Sequence, residues 1–214
     1  MRFRNRTDAG RQLAERLKPV AIDWVEPLIL ALPRGGIEVG AEVSRLLNIP
    51  LTVFIVRKIG APGNPEYAIG AVAETGTVVR SPCAGDYGDH LEQAKHLELE
   101  RIVRYKQLYR DGKALPPLEG RTVILVDDGV ATGATLKAAL QVFRQPDSPR
   151  IAKLVAAIPV APLETAREVG RLAHEAVFLH TPEVFFAVSQ FYDDFRDLPD
   201  DKLRELLGLS PESR

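Results

Sequence analysis

Residues 123–135 read Val-Ile-Leu-Val-Asp-Asp-Gly-Val-Ala-Thr-Gly-Ala-Thr, and this stretch decides the fold. Four β-formers bring Asp127 and Asp128 to the carboxyl end of a buried strand, which is where open α/β sheets bind ligands. Small or hydroxylated residues follow: Gly129, Ala131, Thr132, Gly133, Ala134 and Thr135. Small side chains let backbone N–H groups approach a ligand, and the helix expected from Ala134 adds partial positive charge at its start. The result is a phosphate cradle, to which the Thr132 and Thr135 hydroxyls add donors. Two adjacent carboxylates need hydroxyl donors or a cation to offset their repulsion. A sugar phosphate meets both needs, with its phosphate in the loop and its ring hydroxyls on Asp127 and Asp128. The P-loop signature and the dinucleotide-binding glycine fingerprint are both missing, so those phosphate sites are excluded.

Outward from this segment, apolar runs alternate with amphipathic stretches, the pattern of βα units around a mostly parallel sheet. Strands are expected at 28–32, 51–56, 123–126, 151–159 and 175–179. Helices are expected at 37–47, 89–110, 134–143 and 163–172. A first helix capped by Thr7 or Asp8 runs to Lys18, and a short one closes the chain near 202–207. Gly60 to Glu66, with four Gly or Pro in seven residues, reads as a loop, and 68–79 as a hairpin turning near Glu74-Thr-Gly76. No linker, repeat or low-complexity segment divides the chain, which reads as one domain over residues 1–214.

Composition limits the function classes. Hydrophobic residues make up 45% and charged residues 27%, the balance of a globular domain, and the net charge of −1 offers no global field for nucleic acid or an anionic membrane. No window approaches the ~18 apolar residues of a membrane span, and the N-terminus lacks the apolar core of a secretory signal. A single cysteine, Cys83, excludes a disulfide framework and suits a reducing cytoplasm. Gly and Pro together number 32 of 214, above the ordinary ~12%. Much of that excess falls at Pro33–Gly36, Gly60–Pro65 and Gly129–Gly133, each after an expected strand.

The run at 123–135 resembles the 5-phosphoribosyl-1-pyrophosphate (PRPP) motif of type I phosphoribosyltransferases: four apolar residues, two acids, then a small-residue loop ending Thr-Gly-x-Thr. Leu32-Pro-Arg-Gly-Gly36 resembles the pyrophosphate loop of that family, where peptide geometry is often unusual. Arg57-Lys58 stands ahead of the Gly/Pro-rich stretch, where the family carries basic residues and a closing loop. The resemblance covers roughly residues 28–140. Residues 57–71 also look like an uncharacterised bacterial branch of the family.

This resemblance implies a Rossmann-like α/β fold, with a core at about 20–180 and a small hood built from the N-terminal segment, from 181–214, or from both. It implies displacement of pyrophosphate from PRPP by a nitrogen nucleophile, usually a purine or pyrimidine base, with Mg²⁺ held largely by substrate oxygens and water near Asp127 and Asp128. Asp127 and Asp128 would hold the ribose hydroxyls, and Ala131, Thr132, Gly133, Ala134 and Thr135 the 5-phosphate. Arg34, Gly35, Gly36, Arg57 and Lys58 would meet the pyrophosphate, with Arg34 and Lys58 offsetting leaving-group charge. A loop over 59–67 would exclude water. Catalysis would come mainly from positioning and electrostatics.

Two departures bear on substrate. Ala131 stands where 6-oxopurine members have a third Asp, and Asp128 stands where uracil members usually have Pro. Base stacking is open to Phe185-Phe186 or to Phe191-Tyr192 in the hood. The family analogy suggests a homodimer. Two other functions fit the motif: a PRPP-binding regulator that has lost chemistry, and a plain sugar-phosphate-binding module. The intact acids with Arg34 and Lys58 favour the enzyme. Outside the motif, His90, His96, His174 and His180 lack metal-ligand spacing. His90 and His96 are expected on an exposed helix face, and His180 follows the last strand. Arg2, Arg4, Arg6 and Arg11 read as a solvated basic arm. Asp193, Asp194, Asp197, Asp200 and Asp201 form an acidic tail without the features of a calcium loop.

Overall fold

A computed structural model describes residues 1–81 and 87–211. Five strands form one parallel sheet: β1 (Leu28–Ala31), β2 (Leu51–Val53), β6 (Thr122–Val126), β7 (Lys153–Val160) and β8 (Glu175–His180), in the order β2-β1-β6-β7-β8. Three more, β3 (Val56–Ala61), β4 (Asn64–Ala73) and β5 (Val78–Arg80), form an antiparallel sheet in sequence order. The helices are α1 (Arg6–Leu17), α2 (Gly35–Leu47), α3 (Gly88–Arg110), α4 (Ala134–Val142), α5 (Leu163–Leu172) and α6 (Asp200–Leu206), with 3₁₀ turns at Lys18–Asp23 and Val188–Phe191. The expected α/β architecture, a mostly parallel sheet flanked by helices, is what the chain adopts.

The central strands show why. Leu28, Leu30, Val123, Leu125, Leu154 and Ala156 point to one face, where they meet Leu136, Leu140 and Phe143. Ile29, Ile124, Val126, Val155 and Ala157 point to the other, where they meet Leu13, Leu17, Val39 and Val43. Side chains alternate with period two, so a strand buried on both faces must be apolar at every position. Each such Val, Leu or Ile removed from water contributes about 1.5–3 kcal/mol. The antiparallel sheet lies between α3 and α4. Its Ile59, Ile69 and Val72 pack with Leu91, Ile102 and Tyr109 of α3, while Val56, Ala71 and Ala73 join the cluster that contains α4.

Four local expectations are corrected. The run 51–56 is two strands, because at Phe54–Ile55 the chain leaves the parallel sheet for the antiparallel one. Gly60–Glu66, and with it the expected closing loop at 59–67, is a β-hairpin in which Ala61 pairs with Asn64 and Gly63 takes φ 72°. The register shifts on either side of Gly60, which pairs with Ala68, and the extra residues of the two shifts, Ile69 and 65–67, lie on β4. The cap of α1 is Asn5, whose side-chain oxygen accepts from the Asp8 N–H at 2.9 Å, in place of Thr7 or Asp8. His90 is half-buried with a ring nitrogen 3.2 Å from the Gly60 carbonyl, against the exposure expected of it. Cys83 lies outside the described residues.

The two ends of the chain meet. Phe3 bridges Tyr192 in parallel, with the Phe3 N–H donating to Phe191 at 2.7 Å and the Asp193 N–H donating to Phe3 at 2.8 Å. Phe3, Ala9, Val160, Phe191 and Tyr192 form a small buried cluster above the sheet's carboxyl edge. No helix among the described residues is long and apolar enough to cross a membrane.

Candidate active site

Strands β1 and β6 are hydrogen-bonded neighbours with Ala31 opposite Val126, so the loops that leave them emerge side by side. The Leu32 N–H donates to the Val126 carbonyl at 2.9 Å. A Cβ on Gly36 would lie 2.6 Å from that same carbonyl, so only glycine lets the two loops approach this closely. Pro33-Arg-Gly-Gly36 and Asp127–Thr135 are thereby brought to one spot, at the carboxyl edge of the sheet. The Pro33–Arg34 peptide is cis.

The second loop turns into α4 through Gly133, which has φ 67° and serves as the helix cap without any side-chain capping bond. A Cβ there would also meet the Thr165 side chain at 2.8 Å. Thr165 in turn donates to the Ala131 carbonyl at 2.8 Å, so α5 braces the loop from behind. Ala131 and Thr132 are exposed, and the Ala134 N–H reaches Thr132 Oγ1 only at 3.4 Å. N–H groups at the start of a helix, without a capping side chain, are the arrangement that attracts an anion.

The acid pair is held asymmetrically. Asp127 Oδ1 accepts from the Asp128 N–H at 2.9 Å. Burial, and then the charge of Asp128, raise the Asp127 carboxyl well above the ordinary carboxylate value. Burial raises Asp128 too, but the Arg6 guanidinium beside it pulls the other way. Arg6 Nε donates to Asp128 Oδ2 at 2.7 Å. The Tyr192 hydroxyl donates to the Asp128 carbonyl, and the Val188 side chain sits where a Cβ on Gly129 would have to go, 2.5 Å away. Both ends of the chain therefore close on the acid loop.

Arg34, at the start of the first loop, donates to the Leu198 carbonyl at 2.5 Å, to the Tyr109 hydroxyl at 3.1 Å and to Asp200. The acidic tail thus supplies partners to two arginines, Asp197 to Arg6 and Asp200 to Arg34. Arg57 and Lys58 are adjacent in β3 and so face opposite ways. Arg57 turns to α3, with Nε 2.9 Å from Glu98 Oε2 and its guanidinium over the Tyr105 ring. Lys58 pairs across the ladder with Ala71, on the face that carries Val56 toward α4.

Among the aromatics offered for stacking, Phe191 and Tyr192 are buried in the small cluster, Phe185 packs on Phe191 with centroids 5.2 Å apart, and Phe186 is 86% exposed. His180 also lies against Phe191, and His174 accepts from the Leu154 N–H at 2.9 Å. No group of three or more His, Cys, Asp or Glu among the described residues is placed to hold a metal ion.

Arg6 corrects the expectation of a solvated arm. Its signal was in the phase of α1: residues 6, 9, 10, 13, 14 and 17 form the helix's buried stripe, and a cation on that stripe needs a carboxylate partner.

The chain belongs to the phosphoribosyl transferase domain family, whose model matches residues 4–196. Two Mycobacterium tuberculosis relatives, from strains H37Rv and CDC 1551, carry provisional phosphoribosyl transferase names. Each is 42% identical over 206 residues, which cover 94% of this chain and 45% of theirs. The chain spans about half the length of these curated relatives. The crystal structure of TT1426 from Thermus thermophilus is similar throughout, with 43% identity and a TM-score of 0.80 over 97% of this chain and 98% of that one.

Proposed function

We propose that the protein transfers the 5-phosphoribosyl group from PRPP to a nitrogen nucleophile, a purine or pyrimidine base, releasing pyrophosphate. One observation carries this reading: Asp127 and Asp128 stand beside a glycine-turned, uncapped start of α4, with the Pro33–Gly36 loop packed against them. The acids suit ribose hydroxyls, residues 131–135 suit the 5-phosphate, and Gly35-Gly36 with Arg34 and Lys58 suit the diphosphate. Leaving-group departure builds positive charge on the ribose and negative charge on the diphosphate, so fixed groups of opposite sign on the two sides lower the barrier.

Mg²⁺ fits the donor set here. The oxygens of Asp127 and Asp128 are hard ligands, and Mg²⁺ would stay beside them with its shell completed by ribose, diphosphate and water. Bound there, it would neutralise charge on the departing diphosphate. The N-terminal segment and residues 185–195, joined by the Phe3–Tyr192 bridge, form the hood of a single domain in this reading, with Phe186 as the exposed aromatic for the base.

A PRPP-binding regulator is the second reading, and a specific contact favours it: Asp200 and the Leu198 carbonyl already occupy Arg34. Incubation with PRPP, Mg²⁺ and a panel of bases, followed by pyrophosphate release, separates the two. Turnover with a base is the expected result, whereas tight PRPP binding with no turnover on any base establishes the regulator. PRPP with Mg²⁺ should also stabilise the fold, by about 2.7 kcal/mol at a hundredfold excess over Kd. Asp128→Ala should remove most of that gain. An undiminished gain in the variant would show that PRPP binds elsewhere.

A further inference from the structure

We propose that Arg6 is a positioning residue for phosphoribosyl transfer, fixing the Asp128 carboxylate as an acceptor for a ribose hydroxyl. This rests on the functional reading above and adds to it a residue from outside the motif. Arg6 is 122 residues from Asp128 in sequence, yet its Nε lies 2.7 Å from Oδ2 and its side chain is only 4% exposed. The rest of the guanidinium is spoken for. Nη1 donates to Glu38 at 3.3 Å and to the Arg196 carbonyl at 3.0 Å, and Nη2 donates to Asp197 at 3.2 Å. The plane lies 4.0 Å over the Phe195 ring. One cation thus joins α1, α2, the acid loop and the segment before α6.

The geometry is that of a fixture. A planar fork with several fixed acceptors cannot rotate without breaking several bonds, so the Nε–H direction is set before any ligand arrives. The contact with Asp128 is made at one oxygen only. A carboxylate offers about four lone-pair sites, so this one keeps capacity for a hydroxyl. The pyrophosphate-loop candidate is built to allow the pair: a Cβ on Gly35 would fall 2.0 Å from Asp128 Oδ2 and 3.0 Å from Arg6 Nε. Glycine, acid and arginine are therefore one unit. Among the described residues Arg6 pairs with Asp128 and makes no ion pair with Asp127, so Asp128 is the member of the two acids that a cation holds in place.

The test is a double-mutant cycle on PRPP affinity, read from the rise in Tm with PRPP and Mg²⁺, using native protein, Arg6→Gln, Asp128→Asn and the double variant. If Arg6 acts through Asp128, Arg6→Gln weakens PRPP by at least about tenfold in the native background. It then weakens it by less than about twofold in the Asp128→Asn background. A residue that only stabilises the fold would add the same loss in both. Arg6→Lys, which keeps the charge without the fork, should fall between native and Arg6→Gln.

Circular dichroism fixes which arms are folded. If Arg6→Gln is not folded, Arg6→Lys decides: weakened binding supports the proposal, and native affinity overturns it. Additive losses, or a folded Arg6→Gln with native affinity, overturn it while the functional reading stands. A native protein that does not bind PRPP overturns the functional reading itself and this inference with it.

Discussion

Two of the places where the described residues bury charge are built on opposite rules. At the root of the β4–β5 turn, Glu74 and Arg110 are 3% and 5% exposed and match each other. Glu74 also accepts from the Ile55 N–H at 2.9 Å, and Arg110 donates to the Val53 carbonyl at 3.3 Å. That pair ties the end of α3 to the turn and to the strand-to-strand passage at Phe54–Ile55. At the end of β6, Asp127, Asp128 and Glu38 crowd one guanidinium, and burial raises the carboxyls of all three. A balanced pair holds structure together, whereas a surplus of buried negative charge has value only when something else completes it. In the proposed reading ribose hydroxyls and Mg²⁺ do so.

The contrast breaks most directly at its balanced end. Glu74→Ala leaves Arg110 buried without its carboxylate and should cost about 3–5 kcal/mol in urea denaturation, since an orphaned buried ion loses far more than the pair gains. A cost below about 1 kcal/mol, that of an exposed pair, would mean water reaches the site. Gly35→Ala should cost about 1–3 kcal/mol as the added methyl forces Asp128 aside. The same variant should lose most of its PRPP-dependent gain in Tm, which an equally destabilising change far from the loop would keep.

Asp127→Asn carries the opposite sign. Because burial and the Asp128 charge raise the native carboxyl, the folded state binds its proton more tightly than the unfolded state does. This contribution is fully present below the unfolded carboxylate value near ~3.9 and is lost as pH rises through the raised native value. The variant should therefore be more stable than native protein at neutral pH and equal to it in acid, while losing PRPP binding. A native stability that rises over that interval and falls back in the variant would refute the surplus. Asn5→Ala, which removes the cap that sets the first turn bearing Arg6, is the mildest change, at about 0.5–1 kcal/mol. Its Tm loss should be accompanied by weaker PRPP binding only if the placement of Arg6 matters to the site.

The strand, acids and loop at 123–135 were legible because local rules all act there together: apolar run, carboxylates at the strand's end, glycine at the turn. The mostly parallel sheet was legible for the same reason, through central strands apolar at every position, although the order of its strands was not. The hairpin at 56–73 was not. Gly60, Pro62, Gly63 and Pro65 punctuate it as a loop would, yet only Pro62 and Gly63 form the turn. The glycine at 60 sits in a register shift, and Pro65 precedes the stretch where β4 takes its second partner, from Gly70 onward. Partnering of that kind is tertiary, and local punctuation does not reveal it. The hold of Arg6 on Asp128 was hidden by sequence distance, though its place on the apolar stripe of α1 marked it. The partners of Arg34, Tyr109 and Asp200, had no signal at all, because they depend on where α3 ends and α6 begins in space.

The irregular register just beyond Lys58 has an evolutionary consequence. Side chains in a strand change face with each residue, so an insertion on the sheet side of Arg57 would exchange it with Lys58 and turn the lysine toward α3. The shifts between Ile59 and Ala61 separate that pair from the hairpin tip. A residue gained or lost at Pro62–Gly63 is taken up on the far side of the bulge, and the two cations keep their directions. A change in length at the tip thus leaves the direction of Lys58 as it is.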